Sequence, residues 1–177
     1  MIETSRLNLR NFEITDTENC YNNWGQDISL GKYIAFYPMK NIQEMELFIG
    51  AMVNNKDSWV ICLKDETPVG YVSMDIPYPQ LGVGEIGYVI GEKFQRNGYA
   101  KEAVEAVVKE YLINRDLYLI EAKCNEDNKA SQQLLKKIGF LEEARLRERR
   151  IDFDSGIRKD VLIYSITKKG STKGRYS

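Results

Sequence analysis

Residues 85–112 place a strand directly before a helix, and that junction fixes the class of fold open to the chain. From Glu85 to Gly91 the residues alternate, with Ile86, Tyr88 and Ile90 on one side and Glu85, Gly87 and Val89 on the other. This is the two-residue period of a strand. After a short polar stretch, Ala100, Ala103, Val104, Val107, Val108, Tyr111 and Leu112 fall at the offsets of a single buried helical face. Glu105 and Lys109 lie off that face as an i,i+4 pair. A strand that feeds at once into an amphipathic helix belongs to an α/β architecture.

The flanking segments extend the pattern. Leu7, Leu9 and Phe12 suggest an opening strand, and Thr15-Asp16 caps a short helix toward Trp24. Asn41 caps a second helical segment with Ile42, Met45, Phe48, Ile49 and Met52 on one face. Trp59–Leu63 and Val69–Asp75 are strands around a turn at residues 64–68, and Ile76–Gly84, with Pro77 and Pro79, reads as a mobile loop. Leu117–Cys124 is a strand. Asn128 caps a helix that turns Ala130, Leu134, Leu135 and Ile138 inward, and Gly139 supplies its left-handed stop. Phe140–Arg147 and Asp160–Ile166 close as two strands around the turn Asp154-Ser155-Gly156. The predicted order is strand, two helices, three strands, helix, strand, helix, two strands: an α/β fold with a mixed sheet. At 177 residues the chain suits one domain, expected over residues 1–167, with a flexible basic tail over 168–177.

Composition removes several chemistries. There is no histidine, so Ser-His-Asp and Cys-His nucleophile systems and His-ligated zinc are excluded. Cys20, Cys62 and Cys124 are odd in number and far apart, which argues against a disulfide framework or a zinc site and for reduced packing residues. No apolar run approaches the roughly 20 residues of a membrane helix. The opening MIETSRLNLR has no signal-peptide core, so a cytoplasmic location is expected. The net charge of −1 exerts no global pull on DNA, yet residues 145–177 hold 10 basic and 4 acidic side chains. That basic C-terminal segment could touch RNA or a ribosomal surface, but aromatic residues are not interleaved with its arginine run at 145–150 as single-strand binders need. A charged hairpin with a solvated end is the simpler expectation.

The junction itself carries the chemistry. Gln95, Arg96, Asn97, Gly98, Tyr99 and Ala100 span the turn into the helix. Free backbone N–H groups at a helix start, with a glycine allowing close approach, form an anion cradle suited to pyrophosphate. Neither GxxxxGK[ST] nor a dinucleotide-type GxGxxG is present; the stretch instead fits Q/R-x-x-G-x-G/A with Ala100 last. Together with the opening TSRLNLR, the segment EIGYVIGEKFQRNGYAKEAV and the later NKASQQLLKKIGF, this resembles the GNAT superfamily of N-acetyltransferases. The branch most resembled contains the ribosomal-protein N-terminal alanine acetyltransferases.

The resemblance implies a single-domain fold with a mixed, mostly antiparallel central sheet flanked by helices, and acetyl-CoA as cosubstrate. It implies that the strand around Val89, Ile90 and Gly91 splays from its neighbour and pairs with the pantetheine arm. A free N–H near Val89 would polarise the thioester carbonyl. Gln95 to Ala100 would hold the diphosphate, and Asn128 would lie beside the pantetheine. Many members carry a tyrosine, the acid for the departing thiolate, where this chain has Leu135; in the resembled branch a serine one turn earlier can serve, and Ser131 matches it. Glu85 occupies the place of a strand glutamate that acts as base. Asp75 could add negative potential, and Trp24, Tyr33, Phe36 and Tyr37 could wall an acceptor pocket or pack in the core. The expected activity is direct attack of a primary amine on acetyl-CoA, the amine being a protein N-terminus, a polyamine or an amino sugar. Neither a metal nor a covalent enzyme intermediate is required. A non-catalytic coenzyme A-binding module is the rival class.

Overall fold

The computed structural model describes residues 1–33, 38–152 and 155–168. In chain order the elements are β1 (Ile2–Glu3), β2 (Leu7–Arg10), α1 (Thr17–Cys20), α2 (Ile42–Val53), β3 (Ser58–Leu63), β4 (Pro68–Tyr78), β5 (Val83–Ile90), α3 (Tyr99–Lys109), β6 (Leu119–Asn125), α4 (Lys129–Ile138), β7 (Leu141–Ile151) and β8 (Arg158–Thr167). The eight strands form a sheet in the order β1-β2-β3-β4-β5-β6-β8-β7. It is mixed: β5 and β6 are parallel, whereas β1–β2, β2–β3, β3–β4, β6–β8 and β7–β8 are antiparallel. The chain divides into two compact units, one of residues 1–73 with 88–106 and one of residues 74–87 with the chain from 107 onward.

In the first unit, a guanidinium fixes the start of the helical region. Arg10 grips the Asp16 carboxylate with two arms at 2.9 and 2.7 Å, and the same carboxylate accepts from the Glu13 N–H at 2.8 Å. The turn therefore starts after Glu13, two residues before the expected cap, because Asp16 reaches back rather than forward. Asn41 caps α2 as expected, its Oδ1 accepting from the Glu44 N–H at 3.0 Å. Met45 and Ile49 are fully buried, whereas Ile42 in the first turn stays exposed. They pack with Phe12, Trp24, Val60 and Val89. Trp24 stacks tilted on Tyr71 at 5.2 Å and edge-on to Phe48 at 5.8 Å.

The segment 76–84 differs from its expected loop. β4 continues to Tyr78, a single tight turn occupies Pro79–Leu81, Gly82 takes φ 62°, and β5 begins at Val83. The prolines suggested irregular backbone, but a proline is accommodated near a strand end where its missing N–H leaves no gap in the ladder. The alternation predicted for β5 also breaks: Val89 and Ile90 are both buried, as in a strand covered on both faces. The expected pair Glu105–Lys109 is replaced by Lys101–Glu105 at 2.7 Å.

In the second unit, β5 pairs with β6 from Val83↔Leu119 to Glu85↔Glu121, and β8 covers β6 along its whole length. Asn128 caps α4 and Gly139 ends it at φ 114°. Ala130 is exposed rather than inward. Gln132 takes the buried place because its amide donates to the carbonyls of Asn125 and Glu126 at 3.2 and 2.8 Å, tying the helix to the end of β6. Lys168 is anchored by its N–H on the Tyr118 carbonyl at 3.0 Å and by an ion pair with Asp116. The expected tail from residue 169, and Asp154 of the expected turn, lie outside the described residues.

Candidate active site

The stretch expected to cradle an anion, Gln95 to Ala100, lies in the first unit. Gly91 is obligatory at the end of β5: its N–H donates to the Val69 carbonyl at 2.9 Å, and a β-carbon there would stand 2.3 Å from the Asn23 carbonyl oxygen. Gly70 on β4 is equally constrained, since a β-carbon there would meet the Val89 oxygen at 2.0 Å. The chain then makes one tight turn over Glu92–Phe94, and Asp27 Oδ2 accepts the Glu92 N–H at 2.7 Å. Two left-handed residues follow, Arg96 at φ 63° and Gly98 at φ 81°.

The polar side chains of this loop serve its own backbone. Gln95 Nε2 donates to the Ile90 carbonyl at 3.0 Å, and Asn97 Nδ2 donates to the carbonyls of Phe94 and Gln95, each at 3.1 Å. Gln95 and Asn97 thus shape the loop, and the groups they leave for an anion are main-chain N–H donors. The first bond of α3 runs from Glu102 N–H to Gly98 carbonyl at 3.1 Å. The N–H groups of Tyr99, Ala100 and Lys101 consequently precede the helical ladder and have no acceptor within it. A glycine in the left-handed region and a row of helix-start donors fit a diphosphate. Of Val89, Ile90 and Gly91, the Gly91 amide is already spent on the Val69 carbonyl of β4.

The second unit holds Glu85, Asn128 and Ser131. Glu85 stands opposite Glu121 in the β5–β6 register, and its Oε2 accepts from Lys123 Nζ at 2.6 Å. Both side chains are partly exposed. Lys123 was missed from sequence, although it shares a face of its strand with Glu121. Asn128 Oδ1 accepts from the Ser131 N–H at 3.1 Å, so its side chain is committed to capping α4. The Ser131 hydroxyl hydrogen-bonds the Cys124 thiol, whose pKa is pushed up to about 11 by burial, with the Ser131 bond opposing that rise. Leu135 is fully buried, so its position points into packing rather than toward solvent. Asp75 is exposed on β4.

Of the four aromatic residues expected to wall an acceptor pocket or pack in the core, Trp24 belongs to the core and Tyr33 is exposed; Phe36 and Tyr37 lie outside the described residues. The three cysteines are buried free thiols. Among the described residues, no three His, Cys, Asp or Glu side chains are grouped as metal ligands would be, and no helix is long and apolar enough to cross a membrane.

Residues 6–141 match the acetyltransferase (GNAT) domain. The chain is 28% identical over 174 residues to the N-acetyltransferase p20 of Bacillus licheniformis, covering 94% of this chain and 95% of that one. It is 28% identical over 102 residues to the ribosomal-protein-serine acetyltransferase of Escherichia coli (strain K12), covering 58% of this chain and 56% of that protein. Among solved structures, the microcin C7 self-immunity acetyltransferase MccE, in complex with acetyl-CoA and AMP, superposes with a TM-score of 0.83 at 26% identity, covering 93% of each chain. The matched domain spans three-quarters of the sequence and includes β5, the loop after it, α3 and α4; the chain belongs to the GNAT family of acetyl-CoA-dependent N-acetyltransferases.

Proposed function

We propose that the protein acetylates the α-amine of a peptide or protein N-terminus, by direct attack of that amine on acetyl-CoA in a ternary complex. Gln95 to Ala100 hold the diphosphate through main-chain N–H groups. A free N–H near Val89 polarises the thioester carbonyl where the strand around Val89, Ile90 and Gly91 pairs with the pantetheine, and Asn128 sets the start of α4 beside the pantetheine. Glu85 takes the proton from the attacking amine. The nitrogen bonds to the carbonyl carbon, the carbon–sulfur bond breaks, and Ser131 or water protonates the thiolate. The catalytic domain ends near residue 167.

The observation that carries the choice of acceptor is the Glu85–Lys123 pair. A polyamine arrives as a polycation and gains most where carboxylates are uncompensated. Here the carboxylate is already matched by an ammonium at 2.6 Å. An α-amine with a pKa near 7.8 is about 14% neutral at pH 7, against about 0.04% for a lysine-type amine, so it makes the smaller demand on such a base. Among the described residues of the basic C-terminal segment, Arg145 is engaged with Glu126 and Asp160, and Lys159 with Asp127.

The test compares peptides with free N-termini against a panel of polyamines and amino sugars in a thiol-release assay. Peptides are expected to give the higher kcat/KM. A polyamine or amino sugar that exceeds every peptide 100-fold would overturn the N-terminal assignment. Tight coenzyme A binding without turnover on any amine would instead identify a non-catalytic binding module.

A further inference from the structure

Between β1 and β2 the chain turns through Thr4, Ser5 and Arg6, and their donors converge on one carboxylate far along the sequence. Glu102 Oε1 accepts from the Thr4 hydroxyl at 2.6 Å, the Ser5 hydroxyl at 3.1 Å and the Arg6 N–H at 3.0 Å. Glu102 Oε2 accepts from Arg6 Nε, and Arg6 Nη2 stands 2.6 Å from the same oxygen. Burial pulls this carboxyl's pKa upward, but the hydrogen bonds from Thr4, Arg6 and Ser5 outweigh burial and hold it below the usual carboxylate range. Glu102 lies in the first turn of α3.

The remaining arm of the guanidinium leaves this cluster for the loop. Arg6 Nη1 donates to the Asn97 carbonyl at 2.9 Å, while the guanidinium carbon sits 5.1 Å from the centre of the Tyr99 ring. In a planar trans peptide the C=O and the next N–H point in opposite directions. Holding the Asn97 oxygen toward Arg6 therefore turns the Gly98 N–H to the opposite side. The φ of 81° at Gly98 carries the chain from that peptide into α3. One planar fork thus ties the orientation of the loop to the first turn of the helix, a geometry a lysine ammonium does not reproduce.

We propose that Arg6, braced by Glu102, Thr4 and Ser5, is a positioning residue for acetyl-CoA: by fixing the Asn97 carbonyl it sets the Gly98 N–H and the start of α3 in the orientation that receives the diphosphate. The proposal rests on the reading that residues 95–100 take the diphosphate. Its consequence is preorganisation, because a loop already held in its binding conformation loses less freedom on association.

The experiment measures Arg6→Met, Arg6→Lys and Gly98→Val with two acetyl donors, acetyl-CoA and acetyl-pantetheine, which lacks the diphosphate. Arg6→Met is expected to raise KM for acetyl-CoA and Kd for coenzyme A about tenfold, with kcat at saturation changed less than about twofold and kcat/KM for acetyl-pantetheine unaltered. Arg6→Lys should lose as much, since it keeps the charge but not both arms. An unchanged KM in Arg6→Met overturns the proposal, as does an equal loss with acetyl-pantetheine, which marks a general structural defect. Full retention by Arg6→Lys also overturns it, because charge alone would then suffice. Gly98→Val separates the two layers: if it leaves coenzyme A affinity intact, the diphosphate reading itself fails. If Gly98→Val weakens binding and Arg6→Met does not, only the role of Arg6 fails.

Discussion

Replacing Gly98 by valine puts a definite free energy into the loop, and that energy must appear in one of two measurements. The residue sits at φ 81°, where an L side chain costs about 1–2 kcal/mol and a β-branched one is a strong outlier. A β-carbon there would also lie 3.3 Å from Arg6 Nη2, so the valine methyls crowd the guanidinium that holds the Asn97 carbonyl. If the loop keeps its shape, the strain lowers stability, and for a chain of this length each kcal/mol moves Tm by about 2–4 °C. If the loop relaxes to negative φ, the Gly98 N–H swings away and an anionic ligand loses a charge-assisted hydrogen bond of about 1.5–3 kcal/mol. That is at least a tenfold rise in Kd, about 1.4 kcal/mol or more. Calorimetry with coenzyme A and a thermal melt on the same preparation distinguish the two. We expect the affinity loss to dominate, because Gly98 is exposed and the Arg6 guanidinium, the one group within 4 Å of the new β-carbon, is a side-chain end that can give way and release the Asn97 carbonyl. A Gly98→Val protein with wild-type Kd, whatever its Tm, would refute the reading that this loop takes the diphosphate, and one with wild-type Tm as well would refute the strain argument.

Glu85→Gln is expected to lower kcat by roughly 10² to 10⁴ and to move the rate profile to higher pH, with coenzyme A affinity unchanged; full activity with an unaltered profile defeats the base assignment. Ser131→Ala should lose about tenfold in kcat, because water can protonate a thiolate in its place, and a loss as large as that of Glu85→Gln would give Ser131 a greater part. Stability should fall at alkaline pH. Burial raises the thiols of Cys124 and Cys62 from 9.0 to about 11 and about 12, so the unfolded chain gives up these protons first; the contribution is whole below pH 9 and is lost as pH rises toward 11. Melting curves between pH 7 and 10.5 check this, and Cys124→Ala should flatten the decline; an identical slope in that variant contradicts the assignment.

The parts of the site that were legible in the sequence are those encoded contiguously. The run from Glu85 to Leu112 declares its strand by period, its helix by a buried face and its turn by Gly98, with no long-range information needed. Capping was legible for the same reason, since Asn41 and Asn128 act on residues three positions ahead. The early helical turn failed this test because the Asp16 carboxylate is claimed by Arg10 from β2 and by the preceding backbone rather than by the residues ahead of it. The buried face of α4 was misjudged at one position because a polar side chain, Gln132, finds two carbonyl partners at the end of β6. Hydrophobic patterning gives no sign of such a partner.

The long-range pairs explain what local reading leaves out of the chemistry. Lys123 meets Glu85 across 38 residues, and Arg6 meets Glu102 across 96. Neither partner is distinguishable, in sequence, from any other surface charge, and isolated exposed ion pairs contribute little to stability. Their significance comes from register and geometry. The β5–β6 pairing that sets Glu85 opposite Glu121 brings Lys123, two residues on, to the same carboxylate, and the β1–β2 turn brings Arg6 to the one helix whose first turn follows the anion loop. On the proposed reading, a base with its charge compensated and a cradle with its peptide pre-aligned both act on the free energy of binding and proton transfer rather than on folding. Their loss should therefore register in KM, kcat and acceptor preference, with little movement in Tm.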